Sequence, residues 1–432
     1  MNKSLKFLLG HKRIIFIILL IAVSLTFSIR YFFPKKPKPE KCDKTKSLST
    51  HFYGGDINCV NLKTLLIKEI KIENLRVDEK PYGFSSDQQL KITGVQKFDK
   101  DWVLTLNNGL VALMNADHLS LDSVRDIRTN LMQFSTYGGV VASYFTSKEV
   151  GYFYYSAENS LGKKILVLEK IKFNGNGSIE KRVPMLLSDV FYDHADLGGG
   201  IFADGSFLYL GVGKGVATEL VGAVADRVQE KSSPFGKYLK ISFDQFNNAA
   251  NLFEQIKYSI FTTGHKNPQG AKVIFGKPFS IEHGPWGGDE VNFLQQGKNY
   301  GWNKLSFGYD NERSKLINGF DTGFINPIFY FTPSIGASDL AACPFTSGES
   351  SAFYSPCIVI SSLREQSLFY LKFAKSVPGE KISVFNLVPI SVERVNFGER
   401  IRRIFTESNT VSIFTDSMNI YTQYFVPRFE GN

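Results

Sequence analysis

Residues 198–213 read GGGIFADGSFLYLGVG, and their reading decides the fold. Three glycines open an apolar step at Ile201 and Phe202, an Ala-Asp-Gly turn follows, and the run from Phe207 to Leu210 leads into a second glycine cluster. A short apolar run, a turn whose residues tolerate tight backbone angles and a second apolar run together predict a β-hairpin. The same shape returns from Arg402 to Phe405, through a Glu-Ser-Asn turn, to Val411 and Phe414. It returns again in residues 102–106 with 110–114, 139–145 with 150–155, and 357–361 with 367–373, and residues 165–173 form a further apolar run. Recurrent hairpins predict an all-β chain, and a β-propeller over a sandwich. The 38 Phe and 19 Tyr of the chain suit aromatic packing between blades. Only residues 247–258 and 62–73 have a spacing that predicts short helices.

A net charge of +9 invites a nucleic-acid reading, but its distribution argues against one. Residues 1–41 hold nine Lys/Arg against the single Glu40, so eight of the nine net charges sit there and +1 remains for the rest. That excess flanks the uncharged run 14–29 (IIFIILLIAVSLTFSI), which reaches Phe33 with only Arg30 interrupting and is long enough to cross a hydrocarbon core of about 30 Å. Residues 1–33 are therefore expected to be a membrane anchor, a single transmembrane helix, or a signal segment. No small-x-small cleavage site follows, which favours the anchor. Lysines and arginines on both sides leave the orientation open.

The Pro/Lys-rich segment PKKPKPE (34–40) predicts an extended spacer within a linker of residues 34–60, followed by a propeller domain over 61–432. Cys42 with Cys59 and Cys343 with Cys357 are spaced for two short-loop disulfides. Such pairing suits a body in the periplasm or the extracellular space; four ordinary thiols in a reducing compartment are the alternative.

Three turn-rich segments concentrate chemistry. In DHADLGGG (193–200), His194 precedes glycines that let another group approach the backbone. In GHKNPQG (264–270), Lys266, Asn267 and Gln269 offer donors to an anion or a carbonyl. In 282–303, EHGPWGGDEVNFLQQGKNYGWN, the Gly284-Pro285 step exposes carbonyls, and Asp289 with Glu290 supplies hard oxygens suited to Ca²⁺. Each has a plainer reading: a structural histidine, an interblade turn, a solvated acidic turn.

Taken in order, GHKNPQG, EHGPWGGDE and GKNYGW resemble the glucose/sorbosone dehydrogenase family, the PQQ-dependent soluble aldose sugar dehydrogenases built on a six-bladed β-propeller. A weaker likeness extends from about Gly94 to Asp416. The resemblance implies that His194 is the general base, taking the proton of the sugar's anomeric hydroxyl while hydride moves to the quinone. It implies cofactor contacts at Lys266, Asn267, Arg364 (in SSLREQSL), and Arg400 and Arg402 (in ERIRRI), basic groups that suit a tri-anionic cofactor. It implies one Ca²⁺ on the carbonyls of Gly284 and Pro285, polarising the quinone as a Lewis acid, and a second, structural Ca²⁺ at Glu290 and the carbonyl of Tyr300.

Two positions depart from the family pattern. Where the family has a Gly-Asp after the base, GVGKG (211–215) has Lys214, and where it usually has the arginine of GHRNPQG, this chain has Lys266. A lysine beside His194 would keep that imidazole neutral but remove its orienting carboxylate, a role for which Asp193 and Asp196 are candidates. Two functions are therefore carried forward. One is a membrane-tethered, PQQ- and Ca²⁺-dependent oxidation of aldoses, with electrons passed to an acceptor that the sequence does not name. The other is a non-catalytic propeller that binds a glycan or a protein ligand, with the site degenerate at Lys214 and Lys266. A scaffold with only structural Ca²⁺ is a third, and nucleic acid is not an expected partner.

Overall fold

The structure is a computed structural model that describes residues 58–59, 66–71, 90–117, 120–128, 139–158, 164–188, 196–215, 227–249, 251–309, 323–344, 356–374, 387–407 and 410–424. All of them fall in the compact unit Lys44–Asn432. The expectations for residues 14–29 and 34–40, for Cys42, and for Asp193 and His194 lie outside the described residues. Among the described residues, no helix is long and apolar enough to cross a membrane.

Two short strands, β1 (Asn58–Cys59) and β2 (Leu66–Lys71), precede a series of antiparallel sheets. The first blade is β3 (Ile92–Phe98), β4 (Asp101–Leu106), β5 (Leu110–Asn115) and β6 (Ser120–Asp126). The second is β7 (Gly139–Ser147), β8 (Val150–Glu158), β9 (Lys164–Phe173) and β10 (Ile179–Ser188). The third begins with β11 (Gly198–Asp204), β12 (Phe207–Val212) and β13 (Lys237–Ser242). A single helical turn, α1 (Gln245–Asn248), and β14 (Glu254–Gln255), which pairs in parallel with β10, come before its outer strand β15 (Ser259–Thr263). The fourth blade is β16 (Pro268–Ile274), β17 (Lys277–Glu282), β18 (Asp289–Phe293) and β19 (Phe329–Phe331). The fifth is β20 (Ala337–Ala342), β21 (Cys357–Ser362), β22 (Ser367–Phe373) and β23 (Pro389–Asn396), with β1 added in parallel outside β23. The sixth is β24 (Ile401–Glu407), β25 (Thr410–Thr415) and β26 (Asn419–Tyr424), completed by β2.

The fold is thus an all-β, six-bladed propeller, as the hairpin repeats predict. Both expected helices are corrected. Residues 247–258 form only the end of α1 and then the strand β14, and 66–71 within 62–73 is the strand β2. The apparent helical spacing fails for a tertiary reason: each segment lies against an exposed sheet edge, where pairing satisfies backbone groups that a short isolated helix leaves to water.

Strands buried on both faces explain why the blades stack. A strand buried on both faces reads as a continuous apolar run, as in β4 and β21. Six buried clusters result, one between each pair of successive blades including the sixth and the first. At the sixth-to-first junction, Trp102 of β4 packs edge-on against Phe405 and Phe414, with ring centroids at 4.9 and 5.3 Å. The disulfide Cys343–Cys357, one of the two expected, joins the ends of β20 and β21.

The six innermost strands surround a central cavity of about 350 Å³, to which they contribute Thr93, Ser143, Gly199, Gln269, Asp339 and Arg403. Arg403 spans it. Its guanidinium donates to the carbonyls of Thr93 (3.0 Å), Gln269 (3.1 Å) and Ser338 (2.8 Å), linking the sixth blade to the first, fourth and fifth. Asp339 accepts from Lys272 Nζ at 3.2 Å and from the Ile404 amide at 3.1 Å, linking the fifth blade to the fourth and the sixth.

Replacing Trp102 with alanine removes the aromatic wedge where the ring of blades closes, and a core aromatic truncation costs about 3–5 kcal/mol. Chemical denaturation of Trp102→Ala should therefore show a loss of that size, against less than about 0.5 kcal/mol for a substitution at the exposed Leu252.

Candidate functional site

Because strands alternate in direction, one face of the propeller collects the segments that enter the innermost strands and the turns between second and third strands. Asp196, Lys266, Asn267, Arg400 and Arg402 belong to the first group, and Lys214, residues 284–288, Arg364 and Asp416 to the second. All the described site residues expected from the sequence therefore lie on that face or in the walls just below it.

The walls are held by a buried network. His265 Nδ1 lies 2.8 Å from Glu282 Oε1 and His265 Nε2 lies 2.9 Å from Thr262 Oγ1. Glu282 also accepts from the Lys266 amide at 2.8 Å and from Asn292 Nδ2 at 2.9 Å. The imidazole of His265 stacks on Tyr300 with centroids 4.7 Å apart. Three separate sequence motifs thereby become one body, aided by bonds from the Trp302 amide to Gly264 O (3.0 Å) and from the His283 amide to Asn267 O (3.1 Å). Gly264 has φ +83°, and a Cβ there would sit 2.2 Å from Asn299 Oδ1, so only glycine fits.

Asp196 occupies the centre of this arrangement. Its Oδ1 accepts from Asn267 Nδ2 at 2.8 Å, and its Oδ2 lies 3.3 Å from Lys214 Nζ and 3.5 Å from Lys266 Nζ. Asn267 is fixed in turn, its Oδ1 accepting from the Gly198 amide and from Gln269 Nε2. The backbone of Asp196 has φ +53°, uncommon for a residue with a side chain, and its carbonyl accepts from the Gly215 amide at 3.1 Å. Burial pushes the Asp196 carboxyl up, but the attraction of Lys266 and Lys214 outweighs it and holds the group below its ordinary value. Lys214, expected beside His194, thus finds its partner in Asp196.

A second carboxylate plays the same part on the opposite side. Asp416 accepts from Arg400 Nε at 2.9 Å and from both Nε and Nη2 of Arg402 at 2.8 Å. Burial raises it, the two arginines lower it further, and the net direction is down. Arg402 is nearly buried, whereas Arg400 is half-exposed and Arg364 is exposed on its turn. Lys91, which the sequence reading did not single out, joins them: burial and the nearby Arg402 hold its ammonium below its ordinary value.

The segment 284–288 is a tight turn. A Cβ on Gly284 would lie 2.1 Å from Gly287 O and 2.4 Å from Gly288 O, so that position must be glycine. Asp289, expected as a hard-oxygen ligand, is tied into the turn. Its carboxylate accepts from Ser334 Oγ (2.8 Å), Gly336 N (2.8 Å), Ala337 N (3.1 Å) and Gly284 N (3.2 Å), which makes it the anchor of the turn. Glu290 shares Asn292 Nδ2 with Glu282, at 3.2 and 2.9 Å, and burial plus that neighbouring carboxylate push it well above its usual range. Tyr300 uses its hydroxyl to accept from the Gln295 amide at 2.9 Å and to donate to Phe293 O at 2.5 Å. Among the described residues no group of three or more His, Cys, Asp or Glu is arranged to hold a metal.

The reading from sequence also passed over His283. Its Nε2 is buried with no hydrogen-bond partner among the described residues, and burial lowers the pKa of the ring. Its position immediately before Gly284-Pro285 was the available signal.

The chain is similar to several known proteins. A family profile described as Glucose / Sorbosone dehydrogenase matches residues 93–420. The aldose sugar dehydrogenase YliI of Escherichia coli K12 is 29% identical over 155 residues, 34% of this chain and 38% of that protein. The soluble aldose sugar dehydrogenase of Escherichia coli in the apo-form superposes with a TM-score of 0.60 and 18% identity, covering 78% of this chain and 99% of that one. The PQQ-bound aldose sugar dehydrogenase of Streptomyces coelicolor superposes with a TM-score of 0.55 and 16% identity, covering 78% and 97%. These superpositions share the fold. The chain spans only 34% and 38% of the length of the first two curated relatives that it matches.

The depressed carboxyls set an acid limit. A carboxyl whose folded pKa lies below its unfolded value contributes stability that is full above the unfolded value, about 4, and is lost as pH falls through the folded one. Through these two groups urea midpoints should fall below about pH 4. Asp416→Asn should lower stability at pH 7 by about 3 kcal/mol and make the acid loss shallower.

Proposed function

The chain belongs to the glucose/sorbosone dehydrogenase family, and from that premise we propose that it oxidises an aldose at the anomeric carbon with PQQ as cofactor. The observation that carries this reading is the surplus of cations on the face of the propeller where the inner strands begin. Arg400 and Arg402 share the single carboxylate Asp416, and Arg364 stands exposed on the turn of the fifth blade. A cofactor with three carboxylates fits such a surplus, because each guanidinium keeps N–H groups free to bind beyond its internal pair.

Arg364, Arg400 and Arg402 are the residues proposed to hold the cofactor's carboxylates, with Lys266 and Asn267 at its ring. PQQ, when bound, supplies a quinone that accepts the hydride leaving C1 of the sugar. His194 is the proposed general base, accepting the proton of the anomeric hydroxyl as the C1–O bond becomes the carbonyl of a lactone. Glu282 positions Lys266 through its amide and clamps His265, so the cofactor-facing turn is rigid before anything binds. The carbonyls of Gly284 and Pro285 are the proposed ligands of a catalytic Ca²⁺. For the second Ca²⁺, at Glu290 and the Tyr300 carbonyl, the support is chemical: a buried carboxyl beside Glu282 gains from a neighbouring cation.

The proposed setting is a body tethered by residues 14–29 on the periplasmic or extracellular side of a membrane, delivering electrons to an acceptor there. The Cys343–Cys357 disulfide supports an oxidising compartment. A non-catalytic glycan- or protein-binding propeller is the second reading, favoured by one observation: Lys214 stands where the family has a carboxylate.

Calorimetric titration of the full chain with PQQ, with and without Ca²⁺, tests the first reading. Binding should be strengthened by Ca²⁺, and Arg402→Ala should weaken it by about 10- to 100-fold, the value of a charge-assisted bond. Dye reduction with aldoses should follow, and His194→Ala should abolish it without weakening PQQ binding. Absence of both PQQ binding and dye reduction across a sugar panel overturns the proposal.

A further inference from the structure

Two ammonium groups converge on one carboxylate at Asp196, and neither touches another carboxylate among the described residues. The three side chains keep similar openings to solvent, 21% for Lys214, 14% for Lys266 and 22% for Asp196, so the cluster is partly buried and still reachable from solvent. Lys266 is directed by its own turn, with Nζ 5.8 Å from the Trp302 ring. Lys214 is not so committed. Its Nζ contacts Asp196 at 3.3 Å and the carbonyl of the adjacent Gly215 at 3.3 Å.

The backbone explains why residue 214 cannot drift away. Its amide donates to the Lys266 carbonyl at 2.8 Å, and a Cβ on the preceding Gly213 would sit 1.9 Å from Asp196 O, so the turn after β12 is pressed against the segment that enters β11. One carboxylate thus answers two fixed ammonium groups, and one positive charge is left over in a partly desolvated recess, where a point charge attracts an anion far more strongly than in water.

We propose that the substrate of this site is a sugar acid, an aldose of the hexuronate class, whose carboxylate is recognised by Lys214. Lys214 is then the residue that sets specificity, and Asp196 orients it by holding one side of the ammonium while the substrate's carboxylate takes the other. This deepens the reading of the face as a sugar-oxidising site and rests on it. An aldose with a neutral tail leaves the surplus charge unanswered, which is a penalty against glucose as well as a gain for a uronate.

The test is equilibrium binding to the full chain, measured calorimetrically with D-glucuronate, D-glucose and acetate as separate probes, beside dye reduction by the PQQ- and Ca²⁺-loaded protein. D-glucuronate should bind at least about tenfold more tightly than either other probe, and the preference should shrink as salt is raised. Lys214→Gln should abolish the preference while the melting temperature stays that of the folded protein. Lys214→Asp, which brings back a carboxylate, should favour D-glucose. Equal binding of the two sugars by the wild-type protein overturns the inference without requiring any variant. So does acetate binding as tight as that of D-glucuronate, which would mark an anion recess indifferent to sugar. Neutral aldoses oxidised as well as D-glucuronate leave the dehydrogenase reading standing and remove this one. Preferential D-glucuronate binding without turnover does the reverse.

Discussion

Closure of the ring is the constraint on which the rest of the molecule depends. A twisted series of sheets presents a free edge unless its last member meets its first, and here the outer strand of the sixth blade is β2, paired antiparallel with β26. Once residues 66–71 complete that blade, the apolar faces of blades six and one have no alternative partner and Trp102 becomes buried between Phe405 and Phe414. Six junctions then leave an axial cavity of about 350 Å³ lined by all six inner strands. Arg403 bridges it by bonding carbonyls of three other blades. Such a bond set depends on the inner strands all being in register, so the cavity reports that the ring has closed.

Function is built on the same geometry. Six inner strands that all start at one face deliver six lead-in segments to a common rim, and this is how Asp196, Lys266 and Arg402, far apart in the chain, come to share one surface. The rim is organised around two carboxylates, each held by two cations. Both acids remain ionised because the Coulomb attraction of two neighbours exceeds the cost of burial. Each pairing leaves positive charge over, and an electropositive rim attracts anionic ligands by position as well as by sign. The departures at 214 and 266 thereby look less like decay of a site than like a change in the charge it is built to meet.

Legibility varied with the range of the interaction involved. Hairpins such as Phe207–Val212 with its partner strand were readable because apolar alternation and turn residues are local signals. The two helix expectations failed where a short segment was captured by a sheet edge, an event that depends on distant residues. The bonds of Asp289 were hidden from the sequence for a related reason. Beside a glycine turn it has the composition of a cation ligand, but its four bonds come partly from Ser334, Gly336 and Ala337, more than forty residues on, and no local pattern announces them. Arg403 stood unnoticed beside Arg402 because neighbours in a strand point to opposite sides, and only the closed barrel of inner strands gives its side a meaning.

The sequence by itself determined the all-β class, the family, and the motif residues at Lys266, Asn267, Gly284, Arg400 and Arg402, because these rest on contiguous patterns that survive without a fold. Tertiary structure alone decided what those charges face. Whether a lysine weakens a base or partners an acid depends on which side chain lies within about 4 Å of it, and electrostatic attraction at that range is a property of packing. Lys214 was visible in the chain as a reversal of charge; its meaning came from Asp196, brought to 3.3 Å by the turn that presses β11 against β12.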